Sequence, residues 1–152
     1  MNSEFYVATH CLLLLACEPS SVLTSSQIAS QLSVHPVRVR KALGLLKKSG
    51  YISSREGLNG GFTLALNPSE ITLEKIYSIT EPNVLKIHCK DMDSSPCPVD
   101  SNIGEVLTSV FSKAEDSLLE QLRAYTLKSV MNEIYNVSSK PCSCGRKAKQ
   151  VS

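Results

Sequence analysis

The sequence predicts a mainly α-helical fold with one small β-hairpin, and three patterns carry this prediction. Apolar residues recur at helical spacing in residues 4–17 and 101–123. Between residues 24 and 50, two short helices are marked by their start and stop signals. A glycine-rich loop at residues 57–61 separates two short segments of β-forming residues. The predicted order is one helix, a pair of helices, a hairpin and then further helices.

Length and composition are those of one globular domain. The chain has 152 residues, of which 42% are hydrophobic, enough for a modest core without cross-links. The apolar run from Cys11 to Cys17 is too short to cross a bilayer, and no basic residue precedes it as in a targeting signal. We therefore expect a cytoplasmic protein with no membrane partner. In that compartment its 6 cysteines are thiols, ligands or redox sensors rather than a disulfide framework.

Capping residues define the second and third helices. Thr24 and Gln27 form a capping box, which starts a short helix. A turn ends at His35, and Pro36 starts the third helix, where its missing N–H costs nothing. This helix is predicted to stop at Gly50, a residue suited to a left-handed C-cap. Its inward face carries Val39, either Ala42 or Leu43, and Leu46, and its outward face carries Arg38, Arg40, Lys41, Lys47 and Lys48.

A β-hairpin is predicted after the third helix. Residues 51–55 and 62–66 flank the glycine-rich loop, and Phe62, Leu64 and Leu66 alternate, so that one face of the second strand is buried. Glycines in the loop permit positive φ and a close approach to another surface. A helix, a helix-turn-helix and a hairpin in this order form a winged helix-turn-helix. In that motif the second helix of the pair enters the major groove of DNA.

The second half of the chain is predicted to contain three more helices. Thr72 starts a short helix, residues 81–98 read as a loop, and a long helix spans about residues 101–123. Thr126 starts a last helix, which ends near Tyr135. The long helix has a nearly heptad apolar stripe of Ile103, Leu107, Val110, Ala114, Leu118 and Leu122. A second copy of the chain is the simplest partner for this stripe, and packing back onto its own domain is the alternative.

These elements divide the chain into four predicted segments. They are a DNA-binding module at residues 1–80, a sensor loop at 81–98, a dimerisation helix with a final short helix at 99–135, and a flexible basic tail at 136–152.

Basic residues are concentrated around the third helix. Residues 35–55 carry Arg38, Arg40, Lys41, Lys47, Lys48 and Arg55 and no acidic residue. Residues 56–139, in contrast, are mainly acidic among their charged positions. A basic island in an otherwise acidic body indicates a polyanion site, although a solvated lysine-rich helix face is the simpler alternative.

The chain resembles the Rrf2 family of bacterial winged-helix transcription regulators, which includes iron–sulfur, nitric-oxide and cysteine-metabolism sensors. The likeness covers roughly residues 3–135. The segments that carry it are Ser26–Ala29, His35–Lys41, Leu45–Ile52, Gly57–Phe62, Ile71–Leu73, Cys97–Val99 and Thr126–Leu127.

This resemblance implies a homodimeric regulator, a repressor, that binds a near-palindromic operator in double-stranded DNA. The implied DNA contacts are Ser25, Ser26, His35, Val37, Arg38, Arg40, Lys41, Arg55, Asn59 and Gly60. Arginine and lysine at the start of the recognition helix suit guanine O6 and N7, and the wing would lie along the minor groove. Many members have arginine just before the first wing glycine, where this sequence has Glu56, so Arg55 is left as the substitute.

The cysteines near the long helix suggest a sensor. Cluster-binding members use three cysteines and a fourth ligand in this loop, whereas the chain offers Cys89 and Cys97, with Asp100 at the fourth position. Because a [2Fe–2S] centre needs four ligands, we expect no cofactor. A cluster completed by His88 or a tail cysteine, or a soft metal bound in the tail at Cys142 to Cys144, is the alternative.

The remaining cysteines and histidines, and the rival functions of the whole chain, have their own expectations. Cys97, alone or with Cys89, is a candidate reversible thiol switch, and the alternative is an ordinary loop cysteine. Cys11 and Cys17 are expected in the core, and His10 is expected to be structural. A winged-helix adaptor that binds an acidic protein is the main rival function. Enzyme activity is not expected, because the sequence has no phosphate loop, nucleophile motif or catalytic carboxylate pair.

Overall fold

The fold is mainly helical with one antiparallel hairpin, as the sequence predicts. A computed structural model describes residues 4–81 and 97–138. The elements are α1 (Glu4–Cys17), α2 (Ser25–Leu32), α3 (Pro36–Lys48), β1 (Ile52–Arg55), β2 (Gly61–Leu64), α4 (Leu73–Thr80), α5 (Pro98–Arg123) and α6 (Leu127–Val137).

The core lies where α1, α2, α3 and α4 meet. Its largest fully buried side chains include Leu12, Leu15, Ile28, Leu43 and Leu46, and full burial of one such side chain contributes about 1.5–3 kcal/mol. The inward face predicted for α3 is buried, and it includes both of the alternatives Ala42 and Leu43. The core is therefore built around α3.

Two cysteines of α1 were predicted to be core residues, and the structure separates them. Cys11 is fully buried, and burial raises the pKa of its thiol to about 12. Cys17 is only half-buried, and its Sγ lies 3.4 Å from Oη of Tyr135 on α6. The prediction is thus confirmed for Cys11 and too strong for Cys17, because Cys17 ends the helix at the edge of the core. Half-buried His10 lies against Tyr6, and burial lowers its pKa.

Both ends of the helix pair follow the predicted capping. The Gln27 N–H donates to Oγ1 of Thr24 at 3.2 Å, and the Thr24 N–H donates to Oε1 of Gln27 at 2.8 Å. Pro36 occupies the first turn of α3, and Gly50 has a φ of +77° just beyond its end. Local sequence therefore determined where these helices begin and end.

The hairpin is shorter and less buried than predicted. Its strands pair antiparallel from Ile52 opposite Leu64 to Arg55 opposite Gly61. Leu66 lies beyond β2 and is 40% exposed, so its predicted place in a buried alternation is wrong. A bridge between Leu23 and Phe62 ties the hairpin to the segment before α2. Leu64 pairs with Ile52, which is the first residue of β1. No residue of β1 is therefore left to pair with Leu66.

The C-terminal helices join the winged helix at the start of α4. Thr72 and Thr126 form an antiparallel bridge, and the Leu127 N–H donates to the carbonyl oxygen of Ile71 at 2.8 Å. Leu127 is fully buried within the core, as are Ile71 and Ile76. An ion pair of 3.5 Å between Arg123 and Glu74 links α5 to α4. The last helix is thus part of the same core as the first four.

Two predicted boundaries need correction. The helix α5 begins at Pro98 rather than Ser101, because proline is well suited to the first helical turn. The helix α6 continues to Val137, past the predicted end at Tyr135 and into the predicted tail. Most of the predicted sensor loop and tail, including His88, Cys89, Cys142 and Cys144, lies outside the described residues.

The long helix α5 has no buried residue along its 26 residues. It packs against α4 through one side, where Leu118 and Leu122 are half-buried. Ile103, Leu107, Val110 and Ala114 of the predicted stripe are exposed, and so are Val99 and Val106 beside it. Within the described ranges, no helix combines the length and apolar character needed to span a bilayer.

Candidate nucleic-acid interface

A tight turn sets α3 against α2. Ser33 ends α2 with a φ of +54°, in the left-handed region, and its N–H donates to the carbonyl oxygen of Ser30. His35 then caps α3, where its Nδ1 accepts a hydrogen bond of 3.3 Å from the N–H of Val37. The exposed imidazole of His35 therefore has a structural partner on one nitrogen, whereas the sequence suggested a base contact alone.

The exposed face of α3 is apolar at its start and basic along its length. Val37 is 57% exposed, and Arg40, Lys41, Lys47 and Lys48 are exposed as predicted. Arg38 is half-buried instead of outward, because it lies at the edge of the face packed against the core. The face that α3 offers to another molecule is consequently centred on Arg40, Lys41, Lys47 and Lys48.

Lys41 has an intramolecular partner that the sequence did not reveal. Its Nζ lies 3.4 Å from Oε1 of Glu4, at the start of α1. The lysine side chain is still 64% exposed, so this pair is screened by water and contributes little to stability. A polyanion that approached Lys41 would compete with Glu4 for its charge.

A groove of about 500 Å³ lies between α3, the start of α2 and the hairpin. Arg40 and Lys47 of α3 line it together with Arg55 of β1. Ser25, in the first turn of α2, lines the groove beside the cap residue Thr24, whereas Ser26 is exposed nearby. Cations and a helix N-terminus, with its free N–H groups, both attract phosphate.

The loop of the hairpin is closed by its glycines. The Gly60 N–H donates to the carbonyl oxygen of Gly57 at 2.9 Å, and Gly57 has a φ of +104°. A Cβ on Gly60 would overlap the carbonyl oxygen of Arg55, so only glycine fits there. Asn59 and Leu58 project from this loop, and Leu58 is fully exposed.

The comparison with known families decides the identity of this fold. The model of the Rrf2 family, described as an iron-dependent transcriptional regulator, matches residues 1–133. The chain belongs to the Rrf2 family. Its relatives are HTH-type transcriptional regulators, so it is a DNA-binding regulator of transcription and not an enzyme.

Relatives match this Rrf2 protein over most of their length. The candidate HTH-type regulator YwnA of Bacillus subtilis is 29% identical over 135 residues, which are 89% of this chain and 99% of YwnA. The HTH-type regulator NsrR of Shouchella clausii is 32% identical over 80% of this chain and 82% of NsrR. A crystal structure of a candidate transcriptional regulator from Lactobacillus plantarum has a TM-score of 0.78 and 28% identity, with 88% of this chain and 91% of that chain covered.

Cys97 lies at the N-terminus of α5 in this Rrf2 fold. It is the N-cap residue, and its side chain is exposed. The backbone N–H groups of Asp100 and Val99 lower the pKa of the Cys97 thiol, because they stabilise the thiolate. Of the cysteines described, Cys97 is therefore the one placed for reaction with a solute.

The matched family is described as iron-dependent, which makes possible metal ligands relevant. Among residues 4–81 and 97–138, no group of three or more His, Cys, Asp or Glu side chains could hold a metal ion. Cys97 is the sole described thiol of the predicted sensor loop, and Cys89 lies outside the described part. The described donors alone do not make up the four ligands of a cluster, and the expectation of no cofactor stays a prediction.

The structure brings three of the predicted DNA contacts, Ser25, Arg40 and Arg55, to one groove and adds Lys47 to it. Arg40 and Arg55 share the groove with Ser25, while Arg38 is set back from it. Lys47 was not among the predicted contacts, although its helical spacing from Arg40 places both side chains on one face of α3.

Proposed function

We propose that this Rrf2 protein acts in the cytoplasm as a homodimeric, sequence-specific repressor on a near-palindromic operator. The observation that carries the proposal is the groove in which Arg40, Lys47 and Arg55 meet the N-terminus of α2. With α3 in the major groove, a phosphate strand would enter this groove and the wing would reach the adjacent minor groove. Occupation of both half-sites would block the polymerase.

The exposed stripe of α5 supports the homodimer. A helix of 26 residues is about 39 Å long, and its apolar side chains Ile103, Leu107 and Val110 are uncovered in the single chain. Exposed apolar surface arranged along one helix marks an interaction site. A twofold pair of α5 helices would cover it, and the two recognition helices would then read half-sites about 34 Å apart.

Arg40→Ala is expected to weaken operator binding by at least about 1 kcal/mol, or roughly fivefold, because the guanidinium lies in the groove and on the exposed face of α3. Titrations of an operator obtained by in vitro selection would measure the loss at several salt concentrations. Lys128→Ala is the matched control, since Lys128 is an exposed cation on α6, away from α3. Equal affinities for Arg40→Ala and the wild type would contradict the assignment of the groove.

The same titrations separate DNA binding from an adaptor function. For a DNA-binding protein, the logarithm of the association constant falls linearly with the logarithm of salt concentration as counterions are released. An adaptor for an acidic protein would select no DNA sequence from a random library. Selection that yields no enriched sequence would overturn the proposal.

We further propose that Cys97 makes DNA binding sensitive to oxidants. Its thiolate would attack peroxide, so that the sulfur is oxidised to a sulfenate and the peroxide is reduced to water. The oxidised group would lie at the N-terminus of α5, where the chain enters the helix proposed for the dimer. Any change in affinity follows from unequal DNA binding by the two states, typically about 1–3 kcal/mol.

Peptide-level mass spectrometry after brief iodoacetamide treatment at pH 7 is expected to show Cys97 alkylated well before Cys11. The pKa of the Cys97 thiol is lowered by backbone hydrogen bonds, so its thiolate fraction exceeds that of an ordinary exposed thiol, whereas burial raises the pKa of Cys11 to about 12. Peroxide is then expected to weaken DNA binding of the wild type and to leave Cys97→Ser unchanged. An equal response of the two proteins would exclude Cys97 as the sensor.

A further inference from the structure

We infer that Glu56 is a specificity-determining residue, which turns the wing away from narrow A·T-rich minor grooves and favours a G·C pair in the DNA that flanks each half-site. The inference rests on the proposed function, in which the wing reaches the minor groove. Glu56 is the one acidic residue among the side chains that line the groove beside α3.

Glu56 lies among cations without neutralising them. It lines the same groove as Arg40, Lys47 and Arg55, and it is exposed. Neither the ion pair of Lys41 with Glu4 nor that of Arg123 with Glu74 involves the Glu56 carboxylate. Its charge is consequently available to whatever enters the groove or lies against the wing.

The loop holds the backbone of Glu56 in place. Gly60 folds back over it through the hydrogen bond to Gly57, and a Cβ on Gly60 would come within 3.0 Å of the carbonyl carbon of Glu56. The hairpin pairs Arg55 with Gly61 directly before and after this loop. With the backbone fixed on both sides, only rotation of its own side chain can move the carboxylate away from bound DNA.

The chemistry of the minor groove gives this carboxylate a preference. A·T pairs present only acceptors there, and A-tracts narrow the groove and deepen its negative potential. A carboxylate is acceptor-only, so it is repelled by such a groove. A G·C pair adds the N2 amino group of guanine, which can donate to Glu56. Arginine in this place would have the opposite preference.

The test compares two duplexes that share the selected half-sites and differ only in A·T or G·C pairs at the positions flanking them. Wild type, Glu56→Gln and the control Glu133→Gln are titrated with both duplexes. Glu133 is an exposed acid on α6, so Glu133→Gln removes the same charge at a position away from the wing. Glutamine keeps the shape of glutamate but can also donate to the acceptors of an A·T pair.

The wild type and Glu133→Gln are expected to bind the G·C-flanked duplex about threefold to tenfold more tightly, and Glu56→Gln is expected to lose or reverse this ratio. If Glu56→Gln binds both duplexes more tightly by the same factor, Glu56 acts only on backbone affinity and the inference is wrong. An unchanged ratio in Glu56→Gln also overturns it. Failure of all three proteins to bind either duplex would instead contradict the proposed function itself.

Discussion

Val110→Glu is expected to convert the homodimer into a folded monomer. Val110 is 54% exposed in the single chain, on the uncovered apolar stripe of α5. In a twofold pair of α5 helices, a glutamate at this position would be buried near its symmetry mate. Unpaired buried charge costs several kcal/mol, and each protomer would contribute one such charge.

The loss of the dimer is expected to weaken operator binding by about a hundredfold or more. A dimer that contacts two linked half-sites binds about 10²–10⁴ times more tightly than a monomer that contacts one. The second contact forms at a high effective concentration once the first is made. Light scattering should give twice the chain mass of 16.6 kDa for the wild type and the chain mass for Val110→Glu. Circular dichroism would verify that the variant is folded.

Ser112→Glu is the control for this experiment. Ser112 is exposed and lies two residues further along α5, about 200° around the helix from Val110. It should remain dimeric and bind the operator like the wild type. A wild-type protein that scatters as a monomer at micromolar concentration would overturn the dimer proposal, and so would a Val110→Glu protein that stays dimeric.

Leu127→Ala is expected to lower the free energy of unfolding by about 2–5 kcal/mol. Leu127 is 0% exposed and lies in the cluster formed by α1, α2, α3 and α4. The substitution removes buried methyl groups and leaves a cavity, which the backbone cannot easily close. The Leu127 N–H is already fixed by its bond of 2.8 Å to the carbonyl oxygen of Ile71.

Urea unfolding at one fixed protomer concentration would measure this loss, since the stability of a dimer depends on concentration. Val137→Ala is the matched control on the same helix, because Val137 is 89% exposed and its truncation should change stability by less than about 0.5 kcal/mol. A loss below that value for Leu127→Ala would show that α6 is not part of the cooperative core.

The DNA-binding half was predictable because its signals are local. The capping box of Thr24 and Gln27, the proline that starts α3 and the glycine after it each act within one helical turn. The four buried residues of α3 follow from a period of 3.6 residues. The basic side chains around them then predicted the surface that we propose for DNA binding.

Predictions for single side chains were weaker where neighbouring elements decide exposure. Arg38 was placed outward by helical period but is half-buried at the edge of the core. Leu66 was placed in a strand that ends at Leu64, because its partner strand begins at Ile52. Cys17 is half-buried beside Tyr135, a residue far away in the sequence. None of these outcomes follows from the period of one segment.

The sequence by itself determined the order of the helices, the ends of α2 and α3, the hairpin and the position of the basic surface, since these depend on contacts between residues a few positions apart. Only the tertiary structure decided that Leu127 completes the core, that Glu4 reaches Lys41 and that Glu56 shares a groove with Arg40. Each of these joins residues distant in the chain. Such pairs depend on how the helices and the hairpin pack against one another. No local pattern in the sequence predicts that packing.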